Sequence, residues 1–379
     1  GGDGVDIITG GSGADTINAG AGADIIAIGT AGHGNSDTID GGDDADILQL
    51  STGTHTFADN NKLQNVETVK THSSGSEVSL ANQTEAFTVT GGDGVDIITG
   101  GDGVDTIAGG GEVDTIVGGA GNDIITGGAG NDIITGGSGN DTINVDAGTD
   151  TINDLATGDI LVISENATAS ATVAVAFTAT SGTVNHANNA VTKAVLATDT
   201  DGATINITLA SGAFTLTGGD GVDIITGGSG ADTINTGAGA DIITIGTAGH
   251  GNSDTIDGGD DADVLQLSTG AHAFADNNKL QNVETVKTHS SGSEVSLANQ
   301  TEAFAITGGD GVDIITGGDG VDTIAGGGEV DTIVGGAGND IITGGAGNDI
   351  ITGGSGNDTI DGGSGADTIN TGAGADIIT

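Results

Sequence analysis

The chain has 379 residues and sets 54 acidic side chains against 5 basic ones, all of them Lys, for a formal charge of −49. A polyanion of this kind repels nucleic-acid phosphate and anionic membrane surface, so its natural partners are cations. Without Cys it has neither disulfide nor thiolate chemistry, and no apolar run approaches the roughly 20 residues of a membrane helix.

The first nine residues, Gly1-Gly2-Asp3-Gly4-Val5-Asp6-Ile7-Ile8-Thr9, state a phrase that recurs along the chain: Gly-Gly-x-Gly-x-Asp-x-Ile-x. It is repeated about twenty-five times, and a period this regular decides the architecture before any residue-level reading. The first block of nonapeptides spans 1–49 and carries a four-residue insertion at 28–31. A segment without the motif follows at 50–90, then a second block at 91–153. A longer segment without the motif fills 154–217. The opening then returns: 218–266 copies 1–49, 267–307 copies 50–90, and 308–379 is the last block. Residues 1–143 and 218–360 differ by mild exchanges such as Ala19 for Thr236, Ile47 for Val264 and Val89 for Ile306. Residues 362–379 repeat 227–244 letter for letter, so the array is shuffled from a small stock of modules. The chain starts and stops mid-pattern without an initial Met or a signal peptide, which reads as a window from a longer protein. Thr379 followed by Gly1 would keep the nine-residue frame, which suggests head-to-tail stacking or a longer array.

Each nonapeptide reads as one turn and one short strand. The glycines permit positive φ and close backbone approach. In the x-Ile-x triplet the middle side chain points inward and its neighbours outward. Two turns and two strands bring the chain back over itself, giving a coil of two nonapeptides that rises about 4.8 Å per turn. The expected fold is therefore all-β: a parallel β-roll or β-solenoid, with longer β-rungs where the motif lapses. The segments 63–69 and 204–209 alternate apolar and polar residues as strands do. Phe57, Phe87, Phe177 and Phe214 are spaced to fill wider rungs. For 154–217 a separate small β-domain is the competing reading. Helix is not expected, beyond a conceivable short turn at 59–63.

One Ile per nonapeptide makes a thin core. At ~1.5–3 kcal/mol per buried side chain it does not repay ~1–2 kcal/mol per residue of backbone ordering. Equivalent Asp residues on successive coils would lie near 5 Å apart and repel by roughly 3 kcal/mol at an effective dielectric of 20. A hard divalent cation reverses that sign. Carboxylate and carbonyl oxygens suit Ca²⁺, whereas Mg²⁺ demands stricter octahedral geometry and zinc would want His or Cys. Without calcium, a chain so charged and so poor in aromatic residues is expected to be disordered.

The nonapeptide resembles the RTX (repeat-in-toxin) calcium-binding repeat over about 225 residues. The resemblance implies a parallel β-roll, multiple Ca²⁺ ions held between adjacent turns, and export by a type I secretion system. It implies metal ligation by the sixth-position carboxylates Asp6, Asp15, Asp24, Asp46, Asp96, Asp105, Asp114, Asp123, Asp132 and Asp141. In the second copy these are Asp223, Asp232, Asp241, Asp263, Asp313, Asp322, Asp331, Asp340, Asp349, Asp358, Asp367 and Asp376. Glycine carbonyls of the same loops would complete each site. Asp37 and Asp254 fall in degenerate units, and Asp150 lies in a unit that has lost its first glycines. Glu112, Glu329, Asp44 and Asp261 replace the fourth-position Gly and either distort the turn or add a carboxylate to it. The stretches 63–69, 78–84 and 154–163 are similar to spacers of bacterial surface-layer-like RTX proteins.

No other motif competes. The histidines do not cluster at metal spacing, no Ser-His-Asp arrangement stands out, and no helix follows the Gly-x-Gly runs as a phosphate loop would require. Position three is Asp, Ser, Ala or Gly rather than the Thr of an ice-binding array. The sequence therefore leads to an extracellular, non-catalytic structural protein of the bacterial cell surface. It would build a surface layer, sheath or matrix filament from calcium-stiffened solenoids that self-associate head-to-tail or laterally. The alternative is the repeat region of a type I-secreted toxin, enzyme or adhesin whose active domain lies elsewhere. No nucleic-acid partner and no membrane insertion are expected.

Overall fold

A computed structural model of the chain describes all residues except 12, 30–35, 165–166, 174–175, 180–182, 186–193, 199–203, 209, 211 and 246–252. The chain divides into two compact units, Gly1–Ala194 and Val195–Thr379. The insertions at 28–31 and 245–248 lie partly outside the described residues.

Each unit is a parallel β-solenoid, and no helix occurs among the described residues. The turn at 59–62 is closed by a single bond from the Lys62 amide to the Asp59 carbonyl, 3.0 Å long, and does not continue as a helix. In Gly1–Ala194, Thr88–Thr90 pairs with Thr106–Gly111, which pairs with Ile124–Ala129, which pairs with Thr142–Val145. A second series interleaves in sequence: Ile97–Thr99, Thr115–Ala120, Ile133–Ser138 and Gly148–Leu155. Consecutive nonapeptides thus alternate between two sheets. Register confirms the coil length: Ile107 lies beside Ile125 and Ile116 beside Ile134, each partner two nonapeptides on. Val195–Thr379 repeats the arrangement, for example in Thr332–Ala337, Ile350–Ser355 and Thr368–Ala373.

The segments without the motif carry longer rungs of the same stack. Ile47 pairs with Thr68 and Thr68 with Thr88, so each of these coils is longer than two nonapeptides. The described strands of 154–217 also stack on their motif neighbours. Ile160–Ile163 lies in register on Thr142–Val145, and Ala167–Val173 pairs with Gly148–Leu155 with a register shift between Ile152 and Leu155. In the second unit, Thr204–Asn206 pairs with Ile224–Thr226 and Phe214–Thr217 with Thr233–Asn235. The sides of this segment that adjoin motif blocks are therefore solenoid rungs, not a domain set apart.

Strand alternation places position eight inside. Ile98, Ile107, Ile116, Ile125, Ile134 and Ile143 are buried, while the position-seven residues Ile97, Ile124 and Ile133 are exposed. The same two-residue period places position six on the inner side as well, so each aspartate enters at the corner of its turn, beneath the Ile file. The wider rungs need more volume than Ile supplies. All six Phe residues, 57, 87, 177, 214, 274 and 304, are buried there.

The fourth-position substitutions shift the turn from the φ of 130° at Gly121 and 123° at Gly338 into the left-handed helical region. Glu112 and Glu329 hold φ of 65° and 63°, and Asp44 and Asp261 hold 80°. Their side chains lie on the exposed rim, where they add charge outside the coil. A non-Gly residue in the left-handed region costs ~1–2 kcal/mol. Glu112→Gly is accordingly expected to stabilise the calcium-loaded chain by about 1 kcal/mol, read as a higher urea midpoint. A lower midpoint would show that the Glu112 carboxylate contributes to binding.

Candidate metal centres

The sixth-position aspartates form two ladders that climb each solenoid. In the first, the Asp105 amide donates to Asp123 Oδ1 at 2.8 Å, Asp123 to Asp141 at 2.8 Å, and Asp141 to Asp159 at 2.9 Å. In the second, Asp96 donates to Asp114, Asp114 to Asp132 and Asp132 to Asp150, at 2.8, 2.8 and 3.0 Å. The other blocks match: Asp6 to Asp24 to Asp46, Asp15 to Asp37, Asp223 to Asp241 to Asp263, and Asp232 to Asp254. Asp313 continues to Asp331 and Asp349, and Asp322 to Asp340 and Asp358. Asp349 and Asp358 then donate to Asp367 and Asp376. All the aspartates singled out from the sequence are thereby brought into one of these files. Asp6, Asp15, Asp367 and Asp376 are half-buried and the rest are buried.

The ladders run through the non-motif coils. Asp46 donates to Glu67 Oε2 and Asp263 to Glu284 Oε2, at 2.7 and 2.8 Å. Ser76 and Phe87 donate from their amides to Asp96 and Asp105. The sequence reading did not find Glu67, Glu284 or Asp159 and left Asp150 open. Asp150 and Asp159 were signalled only by spacing, each lying two nonapeptides beyond a motif aspartate. Glu67 and Glu284 had no such signal, because their coils are longer.

In many of these carboxylates one oxygen is thus engaged by the preceding coil. The other is the chemically informative one. Oδ2 of Asp24, Asp46, Asp114, Asp123, Asp132, Asp150, Asp241, Asp263, Asp331, Asp340, Asp349 and Asp358 is buried without a hydrogen-bond partner. Burial is the main reason several carboxylates of the ladders resist ionisation. It pushes Asp114, Asp150 and Asp254 up to about 7, and Asp123, Asp263, Asp331 and Asp340 up to about 6. The amide from the preceding coil opposes that rise, and carboxylates on neighbouring coils reinforce it. Asp46, Asp132, Asp141 and Asp241 are also raised, by burial first.

The surroundings of these oxygens fit a hard cation. A Cβ built on Gly118 would lie 2.5 Å from Asp123 Oδ2 and 2.4 Å from the Gly136 carbonyl oxygen of the next coil. On Gly335 it would meet Asp340 Oδ2 and the Gly353 carbonyl, both at 2.5 Å, and Gly344 and Gly353 repeat the pattern. The first-position glycine therefore keeps open a hollow lined by acceptors, carboxylate on one coil and carbonyl on the next. Acceptors without a donor suit Ca²⁺, which takes six to eight oxygen ligands in flexible geometry. Among the described residues no three His, Cys, Asp or Glu side chains gather as a metal site. An ion here would accordingly rely on backbone carbonyls as much as on carboxylates.

The family model for the RTX calcium-binding nonapeptide repeat matches at 1–29, 31–54, 88–116, 117–152, 215–246 and 248–271, and in overlapping runs at 306–333, 325–360 and 343–378. These matches cover well over half of the chain. The chain belongs to the RTX repeat family. Calcium is the metal that this family's repeat binds, in agreement with the all-oxygen hollows. A comparison with curated proteins gave no match. In this RTX protein, the residues that would hold Ca²⁺ are the aspartates with unpartnered Oδ2 and the glycine carbonyls facing them. The ion would supply the positive charge that 5 basic residues among 379 do not.

The histidines stand apart from these hollows. His55 and His272 are buried in the longer coils, with Nε2 2.9 Å from the carbonyls of Ser51 and Ser268. His72 and His289 accept amide hydrogen bonds from Ser74 and Ser291 on Nδ1. His33, His186 and His250 lie outside the described residues. No helix among the described residues is long and apolar enough to cross a membrane.

Proposed function

We propose that this calcium-binding RTX protein is an extracellular, non-catalytic scaffold: a stretch of surface layer, sheath or matrix filament whose rigidity is set by calcium. The observation that supports this most is the continuity of the carboxylate ladders through motif and non-motif coils alike, as in Asp24 to Asp46 to Glu67. Buried acidic side chains are given over to joining one coil to the next. RTX repeats are generally found in secreted proteins, and millimolar calcium outside the cell would load sites of the affinity typical of extracellular modules, ~10⁻⁴–10⁻³ M. In the cytoplasm the same sites would be empty and the chain unfolded, the state in which it would be exported.

Self-association would extend the same parallel stacking from one solenoid to another. Electron microscopy of the chain at millimolar calcium is expected to show filaments or sheets that disperse in chelator. Isolated short rods at every calcium concentration would sink the filament reading, though not calcium binding itself.

A further inference from the structure

The outward faces of the sheets are nearly free of charge, in a chain of formal charge −49. In Gly1–Ala194 one sheet runs through Ile47–Leu50, Thr68–Lys70, Thr88–Thr90, Thr106–Gly111 and Ile124–Ala129. The other runs through Thr54–Thr56, Glu77–Ser79, Ile97–Thr99, Thr115–Ala120 and Ile133–Ser138. Alternation turns every second residue outward, and in these strands those residues are almost all Thr, Ile, Ala, Val, Ser and Gln. Ile97, Ile124 and Ile133 are 41 to 45 % exposed within these rows. The carboxylates stand at the corners where the chain turns, the ladders inside and Asp93, Asp102 and Glu112 on the exposed rim.

Each face nevertheless carries one charge, and the two are opposite. Lys70 is the one charged residue pointing outward from the first set of strands, and Glu77 the one pointing outward from the second. Both are exposed, and they belong to consecutive strands of a single coil, on opposite sides of the core. Val195–Thr379 repeats the arrangement. Lys287 is the outward charge of the strands from Val264–Leu267 to Ile341–Ala346, and Glu294 that of the strands from Gly270–Ala273 to Ile350–Ser355.

The lysines divide accordingly. Lys62 and Lys279 donate to the Ser36 and Ser253 carbonyls of their own units, at 3.2 and 2.9 Å. Lys70 instead stands between Gln49 and Thr90, and Lys287 between Gln266 and Thr307, with no acidic residue beside either in its row. Among 54 acidic residues, two of the five Lys are thus held out on a neutral sheet. Glu77 accepts the Thr54 hydroxyl at 2.7 Å, which steadies its carboxylate on the opposite face.

From this pattern we propose that the sheet faces are the lateral contact between copies of the chain, the Lys-bearing face of one solenoid lying on the Glu-bearing face of the next. Two polyanions approach closely only through surfaces that carry little of their charge, and the sheets are those surfaces. Packed face to face at about 10 Å, the Ile and Thr rows supply contact area. A single exposed ion pair adds little affinity, but it selects which face meets which and in what direction. Because Lys70 and Glu77 share a coil, a copy displaced sideways without rotation sets Lys70 against Glu77 of the partner subunit. Such a contact is heterologous and does not close, so it repeats into a layer. The inference rests on the scaffold reading given above and names the surface and the register that serve it.

The test uses two full-length variants. Lys70→Glu with Lys287→Glu is acidic on both faces, and Glu77→Lys with Glu294→Lys is basic on both. Electron microscopy and sedimentation are run at millimolar calcium, with circular dichroism to verify the β-fold. The unmodified chain is expected to form layers many solenoids wide. Each variant alone is expected to lose them, and an equimolar mixture to regain them, since every acidic face then finds a basic one. The basic variant carries less negative charge than the unmodified chain, so general repulsion alone would make it assemble more readily. Wide layers from either variant alone, or a mixture that stays dispersed, would overturn the proposal. Unmodified filaments only one solenoid wide would overturn it too, leaving the faces to another occupant and the scaffold reading intact. No association of the unmodified chain would refute the scaffold reading itself.

Discussion

In chelator at pH 7 the chain is expected to lose its β-structure cooperatively, and acid is expected to restore part of it without calcium. Both outcomes follow from the same buried carboxylates. Asp114, Asp150 and Asp254 are pushed up to about 7 in the folded chain, and Asp123, Asp263, Asp331 and Asp340 to about 6, by burial first and by neighbouring carboxylates after it. An unfolded aspartate titrates near about 3.9. Between that value and 6 to 7 the folded state holds more protons than the unfolded one. Calcium-free stability is therefore greatest below the ordinary carboxylate range and is lost as pH rises from there through about 6 to about 7. At pH 7 most of these protons are gone, and charges on successive coils then repel by roughly 3 kcal/mol per pair at 5 Å and an effective dielectric of 20. Where acid has restored the fold, calcium takes the place of the protons it holds, so its binding there releases them and calcium affinity for that folded state should fall as pH falls below about 6. Circular dichroism over a calcium series at pH 5, 6 and 7, with magnesium as the control, reads the first two effects, and the protons released on calcium addition read the third. A β-signal that survives chelator at pH 7 would mean that the Ile file and the Phe-filled rungs hold the fold unaided. Calcium binding to the acid-restored fold without release of protons would mean that the orphaned oxygens are not the ligands.

The sequence made the coil legible because its two periods agree. Each nonapeptide returns the glycines to a corner, and a two-residue step along the strand carries Asp105 to Ile107, both of which point inward. The exposed Ile97 and buried Ile98 are the same residue type in adjacent places, and only the phase of the strand tells them apart. What the sequence did not reveal is how each carboxylate is satisfied. Asp105 and Asp123 are equivalent in the motif, yet one turns an oxygen to Gly101 and the other leaves it bare. That difference comes from the coil beneath, two nonapeptides or more away along the chain, and a single nonapeptide does not carry it. Glu67 shows the same limit from the other side. No motif marks it, yet it accepts the Asp46 amide at 2.7 Å because a longer coil brings a longer carboxylate to the same corner.

Substituting the second-position glycine should be among the most damaging single changes outside the carboxylates. Gly119 holds φ of 120°, which an L side chain rarely adopts, and a Cβ there would lie 2.1 Å from the Gly101 carbonyl oxygen and 3.1 Å from its carbon. Those atoms are backbone of the preceding coil, held in place because Gly101 O accepts the Ala120 amide at 2.9 Å. Neither partner can withdraw without opening the stack. Backbone strain of ~1–2 kcal/mol and overpacking of ~1–3 kcal/mol together give a loss of about 3 kcal/mol for Gly119→Ala. Gly111 supplies the control. It occupies the variable third position of the preceding nonapeptide, its φ is outside the left-handed range, and a Cβ there would come no closer than 3.4 Å to Asp93 O. Gly111→Ala should change stability by less than about 1 kcal/mol, and can raise it by restricting the unfolded chain. Urea midpoints of both variants at saturating calcium decide the matter. Similar midpoints would mean that the coils separate readily at their glycine corners, and the close approach of successive loops would then no longer explain why glycine recurs at that position.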